Sequence, residues 1–121
     1  MEFKKYDFFC PHCSAQLNKK DGIILHTKRV NGDEGVITMD VAVGKYTYTH
    51  EPPVKFEKGE VVDFFCPACK TDLQSNQYDN FARMLMRVGK NIEFDILFSR
   101  EAGKRKTFII TEDGIESYSE R

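Results

Sequence analysis

The sequence predicts a mainly β fold, and three observations support this prediction. Apolar and polar residues alternate in several stretches, which is the period of a strand with one buried face. Clusters of Asn, Asp, Gly and Pro separate these stretches and supply the residues that chain reversals need. A cysteine-containing phrase occurs twice, as DFFCPHCSAQL at 7–17 and as DFFCPACKTDL at 63–73. The 121 residues fit one domain of ordinary size, so we expect a single β-rich domain over 1–121.

Strands are predicted on both sides of the first phrase. The N-terminal segment to about Phe9 should be a short strand that leads into the phrase. The apolar run at 23–25 predicts the next strand, and the Asn, Asp and Gly residues at 31–35 predict a turn after it. A long alternating pattern over 37–43 then predicts a half-buried strand, which the tyrosines at 46–48 continue.

Two prolines interrupt the β pattern before the second phrase. Pro52-Pro53 should end any hydrogen-bonded ladder, because proline has no backbone N–H. His50, just before the prolines, is predicted to lie in a loop. A further strand is predicted over 54–56 and a tight turn at 58–59. The segment 61–65 is then the strand that carries the chain into the second phrase.

A C-terminal β meander is predicted over about 80–118. Strands are predicted over 82–88, 92–98, 108–111 and 115–118. Turns are predicted at 89–91, within the first pair of strands, and at 112–114, within the second pair. The first two strands form a hairpin with one apolar face. A helix over 78–88 is the alternative, because Phe81, Leu85 and Val88 also fit helical spacing.

All four cysteines of the chain lie in the repeated phrases, as Cys10, Cys13, Cys66 and Cys69. A gap of two residues lets both sulfurs of a CxxC unit face one ion from a tight turn, and the proline after the first cysteine suits its first corner. Structural zinc sites are tetrahedral and accept four such thiolates. The spacing therefore predicts one metal site per chain, with zinc favoured and iron as the alternative.

These motifs resemble the paired CxxC turns, or knuckles, of zinc-ribbon and rubredoxin-like proteins. The resemblance covers residues 8–14 and 64–70 closely and the intervening strands loosely. It implies that the four cysteines are the metal ligands. It also implies a zinc-ribbon-like site that joins the strands at 1–13 with those at 54–69. The stretch between the knuckles is longer than in compact zinc ribbons, so the predicted fold carries inserted β-hairpins.

A CxxC thiol-disulfide oxidoreductase is the enzymatic alternative. FFCPHC at 8–13 is similar to the active site of thiol oxidases, and VVDFFCPACK at 61–70 is similar to the strand-into-CxxC entry of thioredoxins. Such enzymes need a long helix after the CxxC, whose N-terminus lowers the pKa of the first thiol. The segment between Cys13 and Gly22 is too short for that helix, and no proline follows Cys69 to act as the cis-proline of a thioredoxin fold. The sequence therefore disfavours this enzyme.

Composition restricts the partners. The chain has 18 Lys+Arg against 19 Asp+Glu, which argues against a dedicated nucleic-acid binder. A nucleic-acid-binding zinc ribbon stays an alternative, because the paired phenylalanines of the two phrases could stack bases. The N-terminal residues lack the apolar core of a signal peptide, and no apolar stretch reaches the roughly 18–20 residues of a membrane span. We therefore expect a cytoplasmic protein, in a compartment that keeps thiols reduced.

The sequence favours a non-enzymatic function. No Ser-His-Asp elbow, phosphate loop or HExxH motif occurs. Four protein thiolates leave no open coordination position on a zinc ion, so the metal's predicted role is structural. We expect a small zinc-binding accessory or protein-interaction module whose β surface meets another protein. The alternatives are the oxidoreductase, a rubredoxin-like iron electron carrier and the nucleic-acid-binding ribbon. The oligomeric state is not specified by the sequence.

Overall fold

The computed structural model describes residues 6–20, 22–40, 47–88, 92–102, 104, 106–111 and 114–119, which form ten strands. The strands are β1 Asp7–Phe9, β2 Asn18–Lys19, β3 Gly22–Lys28, β4 Glu34–Met39, β5 Tyr48–Glu51, β6 Asp63–Phe65, β7 Phe81–Val88, β8 Ile92–Ser99, β9 Lys106–Thr111 and β10 Gly114–Ser119. The mainly β prediction is confirmed. Within the described ranges, no helix has the length and apolar character needed to cross a bilayer.

The strands form two antiparallel sheets. The meander sheet has the order β1-β7-β8-β9-β10 and contains the predicted C-terminal meander. The insert sheet has the order β2-β3-β4-β5, and β6 pairs with the far end of β3. The segment for which a helix was the alternative is strand β7, paired with β1 on one side and β8 on the other. Alternation therefore predicts this segment correctly, and helical spacing does not.

The core lies between the inner faces of the two sheets. Alternate side chains of β3 and β7 are buried along most of each strand, as the period of two requires. Leu25 and Ile37 are cross-strand partners in the insert sheet, and Met84 and Ile96 are partners in the meander sheet. All four are buried in one hydrophobic cluster, together with further residues of both sheets: Phe8, Leu17, Ile23, Val62, Phe64, Leu73, Ala82, Met86 and Ile109.

Two local predictions on either side of the prolines are wrong. Residues 54–56 form no strand, and Phe56 instead packs its ring edge-on against His50, with centroids 5.2 Å apart. His50 lies in β5, not in a loop, and is buried. Its Nδ1–H donates to the Pro52 carbonyl at 2.7 Å, and the Thr27 hydroxyl donates to its Nε2 at 2.7 Å. These bonds satisfy both ring nitrogens and allow the burial.

Other differences concern strand ends. Strand β6 begins at Asp63, and Val61 makes only an isolated bridge with Glu101. Strand β4 ends at Met39, and the predicted continuation of this pattern over 41–46 lies outside the described residues.

The first and second halves of the chain, which form most of the insert sheet and of the meander sheet, repeat the same pattern of strand pairing. In the insert sheet Ile37 pairs with Leu25 and His50, and in the meander sheet Ile96 pairs with Met84 and Ile109. Each residue of the second set follows its counterpart by 59 positions. Strands β3, β4 and β5 therefore correspond to β7, β8 and β9. The correspondence in backbone pairing extends well beyond the repeated cysteine phrases.

Each knuckle connects the two halves. Strand β1 enters the first knuckle paired with β7, and the chain leaves it towards β3, where the Ile24 N–H donates to the Leu17 carbonyl at 3.0 Å. Strand β6 enters the second knuckle paired with β3, and the chain leaves it towards β7, where the Arg83 N–H donates to the Leu73 carbonyl at 2.7 Å. This exchange places both knuckles where the two sheets meet.

Candidate metal centre

The two knuckles have the same backbone geometry. The Ser14 N–H donates to the Cys10 carbonyl at 2.9 Å, and the Lys70 N–H donates to the Cys66 carbonyl at 2.9 Å. Ser14 and Lys70 both adopt left-handed backbone conformations, with φ of 64° and 63°. This conformation is uncommon for residues other than glycine. Because it occurs at equivalent positions, the two copies of the cysteine motif fold into the same type of turn.

The four cysteine sulfurs form a compact cluster. All four Sγ atoms lie within 4.8 Å of one another. The Cys10 and Cys69 sulfurs are 3.8 Å apart, and the Cys13 and Cys66 sulfurs are 3.7 Å apart. Four sulfurs bound tetrahedrally at about 2.3 Å from zinc would be separated by about 3.8 Å. The structure thus brings together all four cysteines that the sequence singles out, at a spacing that suits one metal ion.

Burial and backbone donors distinguish the sulfurs. Cys10 and Cys66, the first cysteines of the knuckles, are fully buried, whereas Cys13 is exposed and Cys69 is half-buried. The backbone N–H of His12 donates to Cys10 Sγ at 3.3 Å, and that of Ala68 donates to Cys66 Sγ at 3.3 Å. Such bonds stabilise the thiolate form. The buried sulfurs therefore receive matched donors that offset their charge.

The thiols do not ionise alike. Burial raises the pKa of the Cys10 thiol to about 12. Hydrogen bonding with the Thr71 hydroxyl, 3.2 Å from its sulfur, lowers the pKa of the Cys69 thiol to about 6. Four thiolates this close together would repel one another, and a bound cation would offset their charge, because metal binding displaces the thiol protons.

The donor set restricts the metal. Four thiolates are soft ligands that select zinc, iron or an iron–sulfur cluster over magnesium or calcium. In the part of the chain that the structure describes, no second group of three or more His, Cys, Asp or Glu side chains converges in this way. The cluster can therefore hold one metal ion of this thiolate-preferring class.

The phenylalanines that could stack nucleic-acid bases are largely covered by protein. Phe8 and Phe64 are buried in the core, so only one phenylalanine of each repeated pair is partly exposed. Phe9 is already covered by the Arg87 guanidinium, 4.1 Å from its ring centroid. These contacts reduce the surface on which bases could stack. Thr71 was not recognised from the sequence; its position two residues after the last cysteine is the only signal.

Comparison with known proteins identifies no relative: no family model, curated protein or solved structure matches the chain. The resemblance to zinc ribbons therefore remains a prediction.

Proposed function

We propose that the chain is a small zinc-binding protein-interaction module in which one zinc ion, held by Cys10, Cys13, Cys66 and Cys69, has a structural role. The observation that carries this proposal is the sulfur cluster itself, with separations of 3.7 and 3.8 Å between sulfurs of different knuckles. An ion at this point would tie the meander sheet to the insert sheet. Structural zinc contributes directly to folding free energy in small domains.

The coordination argues against catalysis at the metal. Four protein thiolates complete a tetrahedral zinc site, so no position is left for water or substrate. His50, which could otherwise act as a base, has both ring nitrogens engaged by Thr27 and Pro52. We therefore favour a non-enzymatic role in contact with another protein, in the cytoplasm, where reduced thiols are available to metal.

One observation favours a second candidate, the thiol oxidoreductase. Cys69 is half-buried and its thiol has a pKa lowered to about 6 by Thr71, which are properties of a reactive cysteine. Against this candidate, neither knuckle is followed by a helix among the described residues. The experiment must therefore separate a closed metal site from a reactive thiol.

Metal analysis of the purified protein, combined with thiol titration, makes this separation. We expect about one zinc per chain, no visible absorption, and slow reaction of all four thiols until a chelator is added. Cys10→Ser and Cys66→Ser should both lose the zinc, and Ser14→Ala is the matched control beside the site. Iron with visible absorption would support the electron carrier. A metal-free protein with one fast-reacting thiol would support the oxidoreductase and refute the proposal.

A further inference from the structure

The two equivalent outer strands of the chain differ in what covers them. Strands β5 and β9 correspond in register, yet β9 is paired on its outer edge with β10, whereas β5 is the last strand of the insert sheet. No strand in the described part of the chain pairs with that edge of β5. Among the described strands, one covering strand is thus present for two equivalent edges. An open edge is a template for pairing with another strand.

The ladder between β4 and β5 determines which groups this edge offers. The Asp40 N–H donates to the Thr47 carbonyl at 3.0 Å, so these two residues form a hydrogen-bonded pair. Such pairs alternate along an antiparallel ladder, so Thr49 and Glu51 also bond to β4. Tyr48 and His50 lie between them and direct their N–H and C=O groups outward. Their counterparts in β9 are the residues that face Tyr118 and Glu116 of β10.

We propose that the outer edge of β5 pairs antiparallel with β5 of a second copy of this chain, with Thr49 on the twofold axis. Only outward-pointing groups can bond across such an interface, so Tyr48 must face an outward-pointing residue of the second copy. Pairing Tyr48 with His50 of the second copy, and His50 with its Tyr48, forms four backbone hydrogen bonds. A shift by two residues towards the C-terminal end of β5 would place Pro52, which lacks an N–H, in the ladder.

The side chains are compatible with this register. Tyr48, a large side chain 48% exposed, would lie opposite His50 of the second copy. Thr49 would face its own equivalent, and Glu51 would face the hydroxyl of Thr47, so no like charges are opposed. Residues directly opposite in a ladder lie on the same face, so both cores stay on one side of the joined sheet.

A second copy explains the edge better than an unrelated strand does. Strand β5, Tyr48–Glu51, contains no lysine and no proline, the residues that commonly protect a free edge. A twofold contact covers the uncovered β5 edges of both chains at once and closes the assembly, whereas pairing of β5 with β10 of another copy would generate an open chain of molecules. The contact deepens the proposed interaction role but does not depend on the identity of the metal.

The mass of the protein in solution tests this contact. The interface is short, so we expect a weak dimer, with the mass rising from one chain to two between about 10 µM and about 1 mM in sedimentation equilibrium. Thr49→Asp and Thr49→Lys should each abolish the rise, because each opposes like charges at the axis. An equimolar mixture of the two variants should restore it. Ser117→Asp, at an exposed position of β10, the edge strand of the meander sheet, is the matched control and should leave the rise unchanged.

Three outcomes would overturn the proposal. In the first, the wild-type protein keeps the mass of one chain at the highest concentration. This result would overturn the dimer even if β5 were found to bind a strand of a different protein. Dimerisation could also survive both Thr49 variants, or be abolished by Ser117→Asp instead. Zinc content and circular dichroism are measured on the same samples, so a folded, zinc-containing monomer refutes the dimer and leaves the proposed metal role standing.

Discussion

The insert sheet and the meander sheet have the same strand register but different side chains on their outer faces. At most inner positions the two halves agree in character, as in Leu25 and its counterpart Met84, which are both buried and apolar; His50 is a polar exception. At outer positions they disagree: Thr38 corresponds to Leu97, and Thr49 corresponds to Phe108. The comparison shows that the shared core requires the inner pattern, whereas the outer pattern depends on what each sheet meets.

The outer face of the meander sheet carries a second, smaller apolar cluster. Leu97 is only 2% exposed although it lies outside the main core, and its cross-strand neighbour is Phe108. The rings of Phe81 and Phe108 have centroids 5.3 Å apart, and Lys104 Nζ lies 5.9 Å from the centre of the Phe81 ring. The segment between β8 and β9 thus helps to cover this face, and the equivalent threonines of the insert sheet are more exposed.

The strongest test of the shared core is a pair of equivalent truncations. Leu25→Ala and Met84→Ala each remove a side chain that is at most 2% exposed from a corresponding position. Each should lower the free energy of unfolding by about 2–5 kcal/mol, because a cavity is left in a packed interior. Denaturant unfolding measures both.

The comparison predicts similar losses for these two variants. If Met84→Ala costs a large amount and Leu25→Ala almost nothing, the insert sheet does not share the core with the meander sheet. Metal content is measured for both variants and must be equal, so that a difference cannot come from metal loss.

A second pair of substitutions tests the disagreement between the outer faces. Leu97→Ala should cost about 2–4 kcal/mol, because it truncates a buried side chain of the second cluster. Thr38→Ala, at the equivalent position of the insert sheet, should cost less than about 1 kcal/mol. The two variants are compared by denaturant unfolding. Equal costs would show that the outer faces are packed alike, contrary to the burial pattern.

The sequence predicts the parts of the fold that depend on simple periods. Alternation indicates the meander, including β7, and the paired CPxC units indicate which sulfurs converge. These signals are local or are carried by a rare residue type. They therefore survive without knowledge of the tertiary contacts.

The correspondence between the two halves could not be predicted in this way. In the described residues of the three matched strand pairs, identical residues occur only at Glu34 and Glu93 and at Ile37 and Ile96. A core face demands apolar character at alternate positions and not particular residues, so sequence identity is lost first. The sequence distance between corresponding residues also changes, from 56 positions at the knuckles to 59 in the strands. A comparison at one fixed distance therefore misses part of the repeat.

The burial of His50 could not be predicted from the sequence either. His50 corresponds to Ile109, and its burial depends on Thr27 in another strand and on the Pro52 carbonyl. Gly35 contributes as well, because a Cβ at that position would collide with the His50 ring. None of these partners is evident from the sequence around His50.

The smallest expected effect concerns an ion pair in the first half. Arg29 donates from Nε and from its terminal nitrogen to both oxygens of Glu60, at 2.8 and 2.9 Å, whereas its counterpart in the second half is Val88. Hydrogen bonding from Arg29 lowers the pKa of the Glu60 carboxyl. The stabilisation it gives is therefore complete above the pKa of Glu60 in the unfolded chain and is lost as pH falls through the lower pKa of the folded state.

Glu60→Gln should consequently reduce the melting temperature at pH 7 and have a diminishing effect below about pH 4. Glu57→Gln is the matched control, because Glu57 is an exposed acid three residues away whose backbone N–H donates to Glu60. It should change the melting temperature less than Glu60→Gln at every pH. A difference between wild type and Glu60→Gln that grows as the pH falls has the wrong sign for this ion pair, and it would mean that the Arg29 contact does not stabilise the first half.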